Sequence, residues 1–308
     1  MADVDPQARS LLEQWAAAPD AGHRGRIWTA EAVRRDDEAT VELQADAMPM
    51  HEVHEISVPG GLHELTARVY IPSRDASRTL LYLHGGGFVI GADGYEEPLR
   101  RLAATSGWRI AELHQRLAPE HPFPAALDDA LLAARWLHDQ WTATGAGVEL
   151  MPGIAGDSSG GTLAAAVTQQ LTTEHVPIAF QVLIYPMLDA LGTSRSHREL
   201  GIGYGFTREK ALWYFDQYLP QGVDRRDPRV SPLYGTVAPG LPRTLVITAA
   251  CDPLRDEAVT YAQRLHEAGV HVEHWSYPGM IHGFFQMTGA LDSSRRLHEA
   301  LGAWVAAR

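Results

Sequence analysis

Six residues, Gly156-Asp157-Ser158-Ser159-Gly160-Gly161, constrain this chain of 308 more tightly than any other stretch. Ser158 has glycine two residues before it and two after, which fits Gly-x-Ser-x-Gly. Ser159, flanked at the same distances by Asp157 and Gly161, does not fit. Met151 to Ala155 are apolar and follow the turn-prone Gly145-Ala146-Gly147, while Thr162 to Leu171 are strong helix formers. A strand, a sharp turn and a helix are therefore predicted, with a serine at the tip. Such a turn strains the serine backbone, and only glycine leaves room for strand and helix to approach each other. The hydroxyl is then held clear of the sheet, and the helix N-terminus behind it favours developing negative charge. Small-residue turns into helices are common, so the meaning of this one depends on what else the chain supplies.

Residues 1 to about 48 read as helical and amphipathic: Leu11, Leu12 and Trp15 fall at helical spacing, and Glu31 to Leu43 is charged with scattered apolar residues. Pro19 and Gly22 to Gly25 break this segment. From His51 the period changes to two, and Val53 to Val58 and Leu65 to Ile71 predict an antiparallel hairpin across Pro59-Gly60-Gly61. His51-Glu52-Val53-His54 is not a zinc motif: its histidines are three apart rather than four, and on a strand they face opposite sides. Thr79 to Leu83 is a continuous apolar strand that runs into His84-Gly85-Gly86-Gly87-Phe88. Three successive glycines leave backbone N–H groups unshielded, which is the composition an oxyanion hole requires. A helix (Glu97 to Thr105), a strand (Arg109 to Leu113), an amphipathic helix (Ala125 to Trp141) and an apolar strand (Ile178 to Tyr185) continue the alternation. A mostly parallel sheet with helices on both faces follows. Residues 188 to about 230 interrupt it with a predicted helix over Arg208 to Tyr218 and the aromatics Tyr204, Phe206, Trp213, Tyr214 and Phe215. Strands at Thr244 to Ala249 and Val270 to Tyr277 and a final helix, Leu291 to Ala306, complete the pattern.

The net charge of −12 argues against nucleic acid and anionic membranes as partners. The single cysteine, Cys251, cannot form an internal disulfide and reads as a buried small residue at a strand end. No apolar run reaches membrane-spanning length, and the acidic start has no apolar core. A cytoplasmic location is expected.

A serine hydroxyl is a poor nucleophile at neutral pH and needs an adjacent base oriented by a carboxylate. Ser158, Asp252 and His282 occur in the chain order Ser, acid, His, each just beyond a predicted strand. Asp189, after the preceding strand, and Asp256, one helical turn further on, are rival acids.

His84-Gly85-Gly86-Gly87-Phe88, Arg116-Leu117-Ala118-Pro119-Glu120, Gly156 to Gly161, Asp252 to Glu257 and His282-Gly283-Phe284 together resemble the hormone-sensitive-lipase-like (family IV) bacterial carboxylesterases. The resemblance runs from about residue 60 to the C-terminus. It implies an α/β-hydrolase fold, with a mostly parallel eight-stranded sheet flanked by helices and a helical cap. Residues 1–48 and 188–230 would form the cap, and 49–187 and 231–308 the core. It implies Ser158 as nucleophile, His282 as base and Asp252 as orienting acid. The oxyanion donors would come from Gly85, Gly86 and Gly87, chiefly the last two, and from Ser159. Phe88, Tyr204, Phe206 and Trp213 would bind substrate. No metal or cofactor is expected. Two departures stand out: the family usually has alanine at the position of Ser159, and an Asp-Tyr pair where this chain has His114-Gln115.

The activity implied is hydrolysis of short- to medium-chain acyl esters through an acyl-enzyme. Lactone, amide or acetyl-ester hydrolysis would use the same triad. A ligand-binding protein on the same scaffold is the alternative of another class, and the family's receptors lack the catalytic histidine that His282 supplies here. The last strand, as a sheet edge, suggests a homodimer.

Overall fold

The computed structural model describes residues 3–17, 28–61, 63–145 and 147–308, and among these the side chains of all but 36–39. The break expected at Pro19 and Gly22 to Gly25, and Ala146 of the expected turn, lie outside the described residues. One sheet organises the rest. Its strands are β1 (Glu52–Ser57), β2 (Thr66–Ile71), β3 (Thr79–Leu83), β4 (Arg109–Leu113), β5 (Gly153–Asp157), β6 (Phe180–Ile184), β7 (Arg243–Ala249) and β8 (Val272–Tyr277), in the order β1-β2-β4-β3-β5-β6-β7-β8. β1–β2 and β2–β4 are antiparallel and every later pairing is parallel. β8 lies at the edge, as expected.

The helices are α1 (Pro6–Ala17), α2 (Ala30–Glu38), α3 (Glu96–Ser106), α4 (Ala125–Ala143), α5 (Ser159–Thr173), α6 (Arg195–Glu199), α7 (Arg208–Tyr218), α8 (Arg255–Glu267) and α9 (Asp292–Ala306). The helix expected to reach Leu43 ends at Glu38 and tightens into a 3₁₀ turn over Ala39–Leu43. No described helix is long and apolar enough to cross a membrane.

Strand side chains alternate between two cores. Leu80, Tyr82, Ile110, Val182 and Ile247 point to one face, against Leu99, Leu102, Leu297 and Leu301 of α3 and α9. Leu81, Leu83, Leu113, Ile154, Leu183 and Val246 point to the other, against α4, α5 and α8. Because both faces are covered, β5 and β6 are buried along their whole length, and Val182 to Ile184 run on without the polar alternation of a half-exposed strand. β3 pairs in parallel with β4 on one side and β5 on the other, so the strand order reverses between β3 and β5. The crevice beyond the carboxyl ends at such a reversal is where ligands bind in sheets of this kind.

The sheet also buries a carboxyl away from that crevice. Glu112 of β4 is fully buried and accepts a 2.8 Å hydrogen bond from the Tyr70 hydroxyl. Burial raises its carboxyl to about 8, against the opposing pull of the Tyr70 hydroxyl and the Arg68 charge. The native protein therefore keeps a proton that the unfolded chain releases near pH 4.3, the ordinary value for glutamate, so about that pH upward the two states differ. Its contribution to stability is full below the unfolded value and declines as pH rises toward about 8. Glu112→Gln, which cannot ionise, removes this decline. Thermal melting should show the variant gaining at least about 2 °C relative to the parent between pH 5 and pH 8.5. Parallel melting profiles would contradict the buried proton.

Candidate active site

The turn after β5 has the strained form its sequence predicts. Ser158 sits at φ 52° and ψ −120°, outside the conformations a serine adopts freely. It is held there by Ser158 N–H donating to Ile184 C=O (2.9 Å) and by Met187 N–H donating to Ser158 C=O (3.0 Å). Gly160 is required by approach rather than by angle: a Cβ there would collide with the Leu83 carbonyl and lie 2.6 Å from the His84 carbonyl. The elbow helix thus rests directly on the backbone that leads into the glycine loop.

Three loops bring the expected triad together. His282 Nε2 is 3.0 Å from Ser158 Oγ, and His282 Nδ1 is 2.8 Å from Asp252 Oδ2. Asp252 is fully buried, and its other oxygen accepts from Leu254 N–H at 2.9 Å. An ionised carboxylate only accepts, so Nδ1 carries the imidazole proton and Nε2 is left to accept from the serine hydroxyl. The imidazole lies between two rings, Tyr185 at 4.8 Å and Phe206 stacked at 4.3 Å. The rival acids are committed elsewhere. Asp189 accepts from Leu191 and Thr193 N–H and the Thr193 and Tyr234 hydroxyls. Asp256 accepts from Ser196 N–H and Arg255. Cys251 is buried, and burial raises its thiol.

Most backbone N–H groups of the glycine loop already have partners. Gly85 N–H is bound to the Tyr95 hydroxyl (2.9 Å) and Asp157 Oδ1 (3.0 Å), so its expected place among the oxyanion donors is corrected: it anchors the loop. Phe88 N–H donates to Ser159 Oγ at 3.1 Å, and Val89 and Ile90 N–H donate to Gly86 C=O. Among the described residues no partner is found for the N–H groups of Gly86, Gly87 and Ser159. Gly87 takes φ +62°, and a Cβ there would run into the Tyr214 ring. Asp157, under the elbow, accepts from the Tyr82 (3.0 Å) and Tyr95 (2.9 Å) hydroxyls. Burial raises its carboxyl to about 6, opposed by those hydroxyls, by His282 and by Gly85 N–H. The His114-Gln115 departure acts on the same loop rather than the elbow: Gln115 Nε2 donates to His84 C=O at 3.3 Å.

Ser158 and His282 open into a cavity of about 270 Å³, lined also by Trp15, Ile90, Phe206, Tyr214 and Met287. Of the four residues expected to contact substrate, only Phe206 lines it. Phe88 is buried, stacked on Tyr218 at 3.8 Å, because its backbone turns the ring away from the crevice. Trp213 lies behind Tyr214 at 5.2 Å and near Trp28 at 6.1 Å. Tyr204 is packed in the core. The sequence reading missed Tyr95, which is 62 residues from Asp157 and carries no local signal, and Tyr185, whose place beneath His282 only the fold creates. A second cavity, of about 710 Å³, holds no triad residue and shares Ile90 with the first.

A model of the alpha/beta hydrolase fold family matches residues 80–286. An ethyl acetate hydrolase of Pseudomonas putida is 39% identical over 239 residues, covering 75% of each chain. Carboxylesterase NlhH of Mycobacterium tuberculosis is 33% identical over 317 residues, covering 99% of this chain and 95% of that one. Among solved structures, the ester-hydrolase EH1AB1 from the metagenome of Lake Arreo superposes with a TM-score of 0.90 at 37% identity, over 99% of this chain and 98% of that chain. With its reversing sheet, its serine turn and these relatives, the chain belongs to the alpha/beta hydrolase fold family, in its hormone-sensitive-lipase-like branch.

Proposed function

We propose that this protein is a serine carboxylesterase acting on short-chain acyl esters through an acyl-enzyme. The observation that carries the reading is the unbroken chain Ser158 Oγ, His282, Asp252, at 3.0 and 2.8 Å, beside three uncommitted N–H groups. Ser158 attacks the ester carbonyl while its proton passes to His282 Nε2. Asp252 steadies the imidazolium. The oxyanion accepts from Gly86, Gly87 and Ser159 N–H, each such donor worth about 3 kcal/mol in the transition state. Collapse expels the alcohol, which takes the proton from His282. Water, deprotonated by the same imidazole, then releases the acid and restores Ser158. The cap is proposed to comprise residues 1–48 and 188–230, which supply Trp15, Thr40 and Phe206 to the cavity wall.

Substrate size follows from the cavity. About 270 Å³ is small for a ligand pocket and suits an acetyl-sized acyl group with a modest alcohol. That agrees with a P. putida relative whose name specifies ethyl acetate. Medium chains would have to pass Ile90 into the neighbouring 710 Å³ space. The receptor alternative has nothing specific in its favour, since His282 is present and joined to both partners.

Two measurements test this reading. Ser158→Ala should keep its melting temperature and lose turnover of p-nitrophenyl butyrate by about 10,000-fold or more; retained turnover rejects the nucleophile. Ile90→Ala should raise the octanoate-to-acetate ratio of kcat/KM for p-nitrophenyl esters by about 10-fold, and an unchanged ratio rejects Ile90 as the partition.

A further inference from the structure

The three free N–H groups come from two separate loops. Gly86 and Gly87 belong to the loop after β3, and Ser159 opens α5 after β5. A tetrahedral oxygen has to lie about 3 Å from donors on both, so the spacing of the loops matters as much as the donors themselves. Two bonds span the gap beside those donors: Gly85 N–H to Asp157 Oδ1 at 3.0 Å before Gly86, and Phe88 N–H to Ser159 Oγ, at 3.1 Å between two buried residues, after Gly87. Phe88 is adjacent to Gly87 and takes φ +65°, a left-handed conformation that a bulky side chain rarely adopts. Its ring lies 5.8 Å from that of Phe215, and three further contacts hold the residue there. Its ring stacks on Tyr218, its carbonyl accepts from Ala118 N–H at 2.9 Å, and its N–H is held by Ser159. Only the last ties the glycine loop to the elbow through a side chain that a substitution can remove.

We infer that Ser159 is a positioning residue: its hydroxyl holds the Gly87–Phe88 peptide in register with the elbow, while its own N–H points to the oxyanion. This rests on the esterase reading above. Removing the hydroxyl leaves a buried N–H without a partner and lets the Phe88 backbone relax from its strained angle, which moves Gly87. All three N–H donors remain, and only their convergence is lost.

The test compares the parent with Ser159→Ala and Ser159→Thr, which keeps a hydroxyl at the same carbon. For p-nitrophenyl acetate, Ser159→Ala should lose about 10- to 100-fold in kcat, with KM within about 2-fold. The inhibition constant of a trifluoromethyl ketone, which forms a tetrahedral adduct, should rise by the same factor as kcat falls. Ser159→Thr should recover most of both. Hydrogen exchange read by mass spectrometry supplies an arm that needs no turnover. Peptides covering residues 84–90 should exchange faster in Ser159→Ala and at the parental rate in Ser159→Thr. Unchanged exchange in Ser159→Ala overturns the clamp. Faster exchange with undiminished kcat, or a loss confined to KM, overturns its role in positioning the donors. Faster exchange in a protein whose parent shows no turnover supports the clamp and rejects the esterase reading alone. If Ser159→Ala does not fold, the same comparison is made with the Phe88 amide replaced by an ester, which deletes the donor and leaves Ser159 intact; unaltered kcat in that protein overturns the proposal.

Discussion

Two neighbouring parallel strands end within van der Waals contact of each other, and the site depends on that closeness. Gly160 lies against the Leu83 and His84 carbonyls, so the elbow helix rests on the backbone entering the glycine loop. A buried carboxylate, Asp157, closes the join by accepting from Gly85 N–H, Tyr82 and Tyr95. The Ser158 turn and the glycine loop are therefore joined both by backbone packing and by hydrogen bonds. A charged group without such partners would cost far more than it contributes in that location; three donors make it affordable and keep it ionised near neutrality despite burial.

The same arrangement explains how a large sheet delivers chemistry from distant parts of the chain. Ser158 and His282 are 124 residues apart in sequence and 3.0 Å apart in space. Neither approaches the other by local preference. β5, β7 and β8 run in one direction side by side with β6, so the loops at their carboxyl ends converge. The segments outside the sheet then enclose the result. Trp15 and Leu12 of α1 pack against Gly205, and the next residue, Phe206, stacks on the His282 imidazole.

Much of this was legible in the sequence because its signals are local. Alternating apolar runs and helical stretches gave the layered sheet, since each period reflects which faces the neighbours bury. The glycines of the elbow marked a place where backbone approaches backbone. The order of Ser158, Asp252 and His282 followed from where strands end. What the sequence did not show was side-chain direction at special backbone angles. Phe88 looked like a pocket residue from its position beside the glycines, yet its left-handed φ sends the ring to Tyr218. Gly85 looked equivalent to Gly86 and Gly87 until Tyr95 and Asp157 were seen to occupy its N–H. Hydrogen bonds across 62 or more residues have no period to reveal them. The Ser159 hydroxyl, noted as a departure, acquires a role only once Phe88 N–H is found against it.

The central claim is that one hydroxyl in this chain is activated by His282 and faces a preorganised anion site. Covalent labelling with a fluorophosphonate, followed by intact-mass measurement and peptide mapping, reads that directly. The account predicts one equivalent of label, located on Ser158, with turnover lost in proportion. Label on another residue, or full turnover in a protein carrying the label on Ser158, would contradict it.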